Sequence, residues 1–215
     1  MCGITGIFDS RGQREVSRAV LARMNDSQHH RGPDEEGLHI EPGVGLGHKR
    51  LAIIDLSTGQ QPLYNEDRSV CIVYNGEIYN YQELMPELTR LGHTFRTRSD
   101  TEVLLRSWMQ RGLDCLADFN GMFAFALWDR AARTLHLARD RFGEKPLYYG
   151  EVGGRFAFGS ELKCLRLLPG FDARLSERAV EEYCAFGYIP DPRTIYEGAH
   201  KLAPGHVLTW ELGSA

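Results

Sequence analysis

The residue after the initiator methionine is a cysteine, and this position could give it two reactive groups. Methionine aminopeptidase removes Met1 when the next side chain is small, as that of Cys2 is. A thiol and a free α-amine would then share one carbon. The thiolate attacks carbonyls and has a free-cysteine pKa of about 8.5; an α-amine titrates near ~7.7–8.0 and can move protons at neutral pH. Cys2 therefore combines a candidate nucleophile with a candidate base, although a small second residue also occurs by chance.

A second candidate feature is Asn75-Gly76, which follows the most apolar strand of the sequence, Val70–Tyr74. An Asn-Gly pair is typical of a hairpin turn. The residues after it, from Glu77 on, lead towards a helix instead of a second strand, so another interpretation stays open. In that interpretation the Asn75 amide and the Gly76 backbone N–H are two donors that stabilise the oxyanion of a tetrahedral intermediate.

Three charged residues could recognise a free α-amino acid. Arg50 is either a solvated cation at a strand edge or a bidentate clamp on a carboxylate. Asp100 is either the N-cap of the helix that follows or a partner for an ammonium group. Arg50 together with Glu77 and Asp100 would bind both charged groups of such a ligand.

The loop Arg31-Gly32-Pro33-Asp34 is interpreted as a rigid turn with an internal Arg–Asp pair that supports the site without direct chemistry. The histidines do not have the spacing of metal ligands, so no metal site is predicted. Those considered are His29, His30, His48 and His93.

Composition excludes several classes of protein. The chain has 215 residues, 42% hydrophobic and 25% charged, as an ordinary globular domain does. A net charge of −4 without a Lys/Arg block argues against a nucleic-acid partner. We expect no membrane span and no signal peptide. Five widely spaced cysteines without a C-x-x-C pair favour a reducing cytoplasm. The four besides Cys2 are predicted to be small core residues: Cys71, Cys115, Cys164 and Cys184.

Many short strands and several helices must position these residues. Strands are predicted at Ile4–Phe8, Gly37–Ile40, Val44–His48, Leu51–Asp55, Val70–Tyr74, Met122–Trp128, Thr134–Arg139, Leu147–Tyr149, Phe156–Phe158 and His206–Trp210. Helices are predicted at Glu15–Ser27, Asn80–Leu91, Thr101–Arg111, Ser160–Leu168 and Ser176–Phe186. Consecutive hairpins indicate antiparallel sheets covered by helices, an α+β architecture.

Eight motifs in a fixed order make the sequence resemble a known family. They are Met-Cys-Gly-Ile-x-Gly-Ile-Phe, His-Arg-Gly-Pro-Asp, His-Lys-Arg-Leu-Ala-Ile-Ile-Asp, Tyr-Asn-Gly-Glu-Ile-Tyr-Asn, Arg-Ser-Asp-Thr-Glu, Gly-Met-Phe-Ala-Phe-Ala-Leu-Trp-Asp, Ala-Arg-Asp-Arg-Phe-Gly-Glu-Lys-Pro-Leu-Tyr-Tyr and Gly-Ser-Glu-Leu-Lys. From Cys2 to about His206 the chain resembles the glutaminase domain of class II glutamine amidotransferases, within them the asparagine synthetase B type.

The resemblance implies a four-layer αββα N-terminal-nucleophile hydrolase fold that hydrolyses L-glutamine to glutamate and ammonia without a cofactor. It implies that Cys2 forms a γ-glutamyl thioester while its own amine moves protons. Asn75 and Gly76 would form the oxyanion hole.

The resemblance also assigns the substrate-binding residues. Arg50 would hold the glutamine α-carboxylate, and Glu77 and Asp100 its α-ammonium group. Backbone groups around Leu51 and Ile53 would line the pocket.

One departure from the family pattern limits the expectation. The ATP-pyrophosphatase loop Ser-Gly-Gly-x-Asp-Ser is absent. We therefore predict a glutaminase domain over residues 2–210 and the start of a linker over 211–215, leading to a C-terminal synthetase domain outside this sequence. ATP and Mg²⁺ would belong to that domain. Aspartate is the first choice of ammonia acceptor, a sugar or surface-polysaccharide precursor is the alternative, and a homodimer stays open.

Two rival functions remain. An N-terminal-nucleophile amidase for another amide would not need Arg50 and Asp100 to recognise an amino acid. A non-catalytic glutamine-binding or subunit-docking domain would keep the pocket without turnover, and a retained Met1 would favour it because the Cys2 amine would then be in a peptide bond.

Overall fold

Two antiparallel sheets lie face to face and carry helices on their outer sides. The computed structural model describes residues 1–12 and 14–213. The strands are β1 Gly3–Phe8, β2 Glu35–Glu41, β3 Val44–Arg50, β4 Leu63–Tyr64, β5 Val70–Ile78, β6 Gly121–Asp129, β7 Thr134–Arg139, β8 Tyr148–Val152, β9 Arg155–Gly159, β10 Ala199–Lys201 and β11 Val207–Glu211. The helices are α1 Arg18–Asp26, α2 Tyr81–Arg90, α3 Asp100–Arg111, α4 Leu162–Arg166 and α5 Glu177–Phe186, and His29–Arg31 and Gly112–Asp118 form 3₁₀ turns.

Strand order explains which chain segments meet. One sheet has the order β10-β8-β9-β1-β3-β2 and the other β11-β7-β6-β5-β4. The strands between the edges carry the longest apolar runs, since their two faces are both covered. β1 and β5 are therefore interior strands on facing sheets, and β1 begins one residue after Cys2.

Three apolar layers hold the four layers of secondary structure together. Side chains between the sheets include Ile4 and Phe158 from one sheet and Val73 and Trp128 from the other. A second layer joins β5 and β6 to α3, and a third joins β1 and β9 to α1 and α4. Full burial of each large apolar side chain contributes about 1.5–3 kcal/mol. The predicted αββα arrangement is confirmed.

The prediction that the apolar strand stops at Asn75-Gly76 was wrong. β5 continues through both residues to Ile78 and pairs with β6, with Gly76 opposite Phe123. A β-carbon at position 76 would lie 2.4 Å from the Met122 carbonyl oxygen. The glycine is therefore required by this close approach of two strands and not by a turn.

The predicted strand Leu51–Asp55 is also absent from the structure, which has a loop there. The Arg50 side chain donates to the carbonyl oxygens of Ile54 (3.2 Å) and Asp55 (2.5 Å). Asp55 has a positive φ of 51°. The loop thus wraps around Arg50 instead of pairing with a strand.

Smaller differences concern element ends. Ser99, not Asp100, is the N-cap of α3, because its side chain accepts from the Thr101 N–H. α1 begins at Arg18 after the cap Ser17. The short strands β4 and β10 were not predicted, having too few residues for a pattern.

Of the predicted core cysteines, Cys184 is exposed.

Two further predictions can be compared with the chain that is described. Within the described residues, none of the helices has the length and apolar character that a membrane span requires. The predicted linker 211–215 includes Glu211, the last residue of β11. Its residues Ser214 and Ala215 lie outside the described residues.

Candidate active site

A cleft opens where the start of β1, the end of β3, the second half of β5 and the start of α3 meet. Its cavity volume is about 90 Å³. All eight predicted site residues line it: Cys2, Arg50, Leu51, Ile53, Asn75, Gly76, Glu77 and Asp100. Topology alone brings them together, because the sequence separates the first from the last by almost a hundred positions.

Cys2 lies at the cleft wall with its sulfur against the β3 end of the site. Its Sγ is 3.4 Å from the Leu51 backbone nitrogen, which donates to it, and 3.7 Å from the Leu51 carbonyl oxygen. Burial raises the pKa of the Cys2 thiol, more than its neighbours lower it. The thiol is therefore held in its protonated form, and nucleophilic attack from this position needs a base.

Arg31 supports Cys2 from behind. Its Nε donates to the Cys2 carbonyl oxygen at 3.0 Å and its Nη1 to Glu161 at 3.2 Å. The predicted Arg31–Asp34 pair is therefore not the contact that forms. Asp34 instead accepts from the Ala52 N–H at 2.8 Å. Both ends of the loop thus contact neighbouring parts of the cleft, and the supporting role of the loop stays a prediction.

The open edge of β5 presents backbone donors to the cleft. Alternate residues of an antiparallel strand point their N–H and C=O groups to the same side. The Tyr74 N–H donates to Gln61 Oε1 (2.7 Å) and the Ile78 N–H to Asp100 Oδ2 (3.0 Å), so this side faces away from β6. Gly76 lies between them and directs its N–H to the same side, into the cleft.

The Asn75 side chain supplies a second donor at the same place. It points from β5 towards the facing sheet and is 1% exposed. Among the described residues its Nδ2 has no hydrogen-bond partner. A buried donor without an acceptor costs about 1–3 kcal/mol, so an amide held in this way is ready for an acceptor on a ligand.

Asp100 lies at the β5 edge of the cleft. Its carboxylate accepts from the Tyr74 hydroxyl at 2.8 Å and from the N–H groups of Ile78 and Thr101, each at 3.0 Å. Burial raises the pKa of this carboxyl, although these donors act to lower it. Glu77 lies beside it on β5 and is partly buried. A cationic group bound here would favour the ionised form of Asp100.

Arg50 is buried, with 3% of its surface exposed, so the solvated strand-edge alternative was wrong. Glu35 pairs with its Nη1 at 2.7 Å, and the loop carbonyls of Ile54 and Asp55 fix Nη2. A guanidinium has five N–H donors in one plane. These contacts do not use all five donors, and Arg50 lines the cleft, so it can receive a carboxylate.

Several cleft residues were not predicted. Gln61 positions β5 and α3 together through Tyr74 and, at 3.4 Å, Thr101. Met122 and Lys145 form the wall beside Met1. Thr101 and Lys145 lie inside motifs already quoted, so the motif sequences were the available signal. No group of three or more His, Cys, Asp or Glu residues is placed to hold a metal ion in residues 1–12 and 14–213.

Comparison with known proteins agrees with this geometry. Residues 1–215 match the family described as the glutamine amidotransferase domain. Asparagine synthetase [glutamine-hydrolyzing] 3 of Bacillus subtilis is 42% identical over 98% of this chain and 35% of its own length. A putative asparagine synthetase [glutamine-hydrolyzing] 2 of Methanocaldococcus jannaschii is 40% identical over 99% of this chain and 44% of its own length. The chain thus spans less than half the length of these relatives.

A solved structure shows the same fold at lower sequence identity. Glutamine phosphoribosylpyrophosphate amidotransferase from B. subtilis superposes with a TM-score of 0.64 at 22% identity, over 77% of this chain and 43% of that one. The family match extends over the whole sequence, and the cleft has the residues that the family resemblance predicted. This chain therefore belongs to the glutamine amidotransferase domain family.

Proposed function

We propose that this domain hydrolyses L-glutamine to glutamate and ammonia through a thioester on Cys2, once Met1 has been removed. The observation that carries the proposal is the arrangement around the Cys2 sulfur. The cleft that holds this sulfur is also lined by two residues with donors, Asn75 and Gly76, and by a buried cation and a buried acid. These are Arg50 and Asp100, which suit the two charged groups of an α-amino acid.

In the first half-reaction the Cys2 amine accepts the thiol proton while Sγ bonds to the side-chain amide carbon of glutamine. The carbonyl oxygen becomes an oxyanion, which the Asn75 amide and Gly76 N–H stabilise. The carbon–nitrogen bond then breaks. The amine returns its proton to the leaving nitrogen, which departs as ammonia.

Water completes the reaction. The amine accepts a proton from a water molecule as the water oxygen bonds to the thioester carbon. The carbon–sulfur bond then breaks, glutamate leaves, and the thiolate recovers the proton from the amine. The cycle uses only groups of this chain, and we propose that it needs no cofactor.

The wider role is also a proposal. The named relatives support a parent protein that passes ammonia from this domain to a C-terminal synthetase domain, with the linker starting after β11, which ends at Glu211. ATP and Mg²⁺ would act in that domain, with aspartate as the first candidate acceptor. The five cysteines are free, which suits the cytoplasm. A homodimer stays a prediction.

The direct test is glutamate release from L-glutamine by protein whose intact mass shows loss of Met1. We expect turnover with glutamine and far slower turnover with asparagine, whose shorter side chain cannot reach Cys2 while its α-groups are bound. Saturable glutamine binding without glutamate formation in the processed protein would instead indicate a binding domain.

Arg50→Ala should raise the KM for glutamine about 10- to 100-fold, because a charge-assisted contact to the α-carboxylate is worth about 1.5–3 kcal/mol. Steady-state kinetics of glutamate formation measure it. Since Arg50 also holds the loop at Asp55, a thermal melt must show that the variant is folded, and Arg50→Lys should recover part of the affinity. Unchanged kinetics would favour the rival amidase with another substrate.

Asn75→Ala should lower kcat about 10²- to 10³-fold, the usual effect of removing one oxyanion donor. KM should change little, since the α-groups of glutamine are bound elsewhere. The fold should tolerate the change because the amide nitrogen has no partner in the described residues. A rise in KM with kcat preserved would place Asn75 in ground-state binding instead.

A further inference from the structure

Lys145 is a buried cation that the proposed reaction has not used. It lies in the loop between β7 and β8 and is 4% exposed. Its Nζ is 3.2 Å from the sulfur of Met1 and 3.0 Å from that of Met122. Thioether sulfur is a weak acceptor, and no carboxylate of the described residues forms an ion pair with this ammonium. Such a placement is unfavourable for a lysine with a purely structural role.

The acid that shapes the loop around Lys145 is Asp140, and it forms no ion pair with the Lys145 ammonium in the described residues. The Asp140 carboxylate accepts four backbone N–H groups: from Phe123 and Phe142 at 3.1 Å, and from Glu144 and Lys145 at 3.0 Å. Both of its oxygens are therefore committed to shaping the loop. The Lys145 side chain lines the cleft. Burial lowers the pKa of its ammonium, and the nearby charges of Glu144, Asp140 and Glu77 act to raise it.

The Lys145 ammonium lies in the same cleft as the Cys2 nitrogen, which becomes a free amine when Met1 is removed. Met1, whose sulfur it contacts, is bonded directly to that nitrogen. The other charged groups facing this corner are Arg31, Glu77, Asp140 and Glu144. Arg31 is a second cation and already donates to the Cys2 carbonyl. Glu144 is exposed, and Glu77 is the proposed partner of the substrate ammonium.

We propose, on the basis of the proposed function, that Lys145 is a positioning residue whose buried ammonium keeps the Cys2 α-amine unprotonated and ready to accept the thiol proton. A nearby like charge disfavours the protonated amine. The terminal amine of the chain that retains Met1 already shows the effect. Burial lowers its pKa first, and Arg31 and Lys145 lower it further against the opposing influence of the Cys2 thiol.

The test compares Met1-free protein with its Lys145→Met variant. Methionine matches the volume of lysine and suits a wall that already contains Met122, so the fold should be kept. The Cys2 amine can be titrated by NMR after ¹⁵N and ¹³C labelling of cysteine, since among the cysteines it alone has a free α-amine. Loss of the cation should raise the amine pKa by about one unit.

The same shift should appear in catalysis. The acid limb of the pH profile of kcat/KM for glutamine should move up by about one pH unit. At a pH below this limb, kcat/KM should therefore fall about tenfold. Lys145→Arg should restore the wild-type limb because it restores the cation. Lys201→Met removes a lysine paired with Asp191 outside the cleft, and this matched control should leave the limb unmoved.

An amine titration that is identical in wild type and Lys145→Met would overturn the proposal. So would a rise in KM at every pH with an unmoved acid limb, which would make Lys145 a ligand for a substrate carboxylate. If the wild type releases no glutamate but its amine titration still shifts on Lys145→Met, the proposed function fails and the electrostatic role of Lys145 stands.

Discussion

Cys2→Ala should reduce glutamate release by about 10⁴-fold or more, because replacing the nucleophile removes the covalent step and what remains is binding and oxyanion stabilisation. Glutamine should still bind, since Arg50 and Asp100 are untouched. Glutamate release and calorimetric glutamine binding measure the two effects separately. Binding with no turnover is therefore the expected pair of results.

Cys184→Ala is the matched control. Cys184 is exposed on α5 and does not line the cleft, so its loss should leave kcat and KM unchanged. Substantial turnover by folded Cys2→Ala would contradict the thioester mechanism. It would leave direct attack by water, activated by another group of the cleft, as the alternative.

A chain whose Cys2 nitrogen stays in a peptide bond should lose about 10²- to 10⁴-fold in rate, the usual contribution of a positioned base. The comparison uses a single protein with an N-terminal extension that a protease removes directly before Cys2. Its activity is measured before and after cleavage. Intact mass establishes the state of each sample. The fold should be the same in both, because Met1 lies outside β1.

The residual rate of the blocked chain should depend on pH in a defined direction. Burial raises the pKa of the Cys2 thiol, so without the amine the thiolate forms only as the pH rises above the ordinary thiol value of about 8.5. The blocked chain should therefore gain activity steadily in alkaline buffer, whereas the cleaved chain is active near neutrality. Equal rates before and after cleavage at pH 7 would exclude the α-amine as the base.

The sequence predicted the site more completely than it predicted the elements that build it. Residue chemistry and the order of the motifs predicted that Cys2, Arg50, Asn75 and Asp100 share one site. In the structure all four line the cleft. Local rules failed where tertiary contacts decide the backbone. An Asn-Gly pair forms a turn only when it is not part of a paired strand. Here pairing with β6 extends β5 through Gly76.

Other residues could not have been found by local reasoning. The role of Gln61 depends on its distance to Tyr74 and Thr101, which belong to other elements. The position of Lys145 depends on its contacts with the sulfur atoms of Met1 and Met122, which are distant in the sequence. Both are facts of long-range packing, and composition and periodicity contain no information about them.

Because β4 is short, part of the β5 edge is open to a ligand. β4 covers β5 only at Ile72 and Cys71, so the rest of that strand edge has no neighbouring strand. A bare edge normally invites pairing with another chain. Here side chains from Gln61 and Asp100 occupy the flanking N–H groups, which blocks an incoming strand while leaving room for one small ligand at Gly76. If β4 extended along β5, the sheet would be more regular, but a β4 carbonyl would accept the Gly76 N–H. The Gly76 donor is available to a ligand only because the sheet is incomplete at this edge. The neighbouring side chains prevent the same edge from pairing with another chain and aggregating.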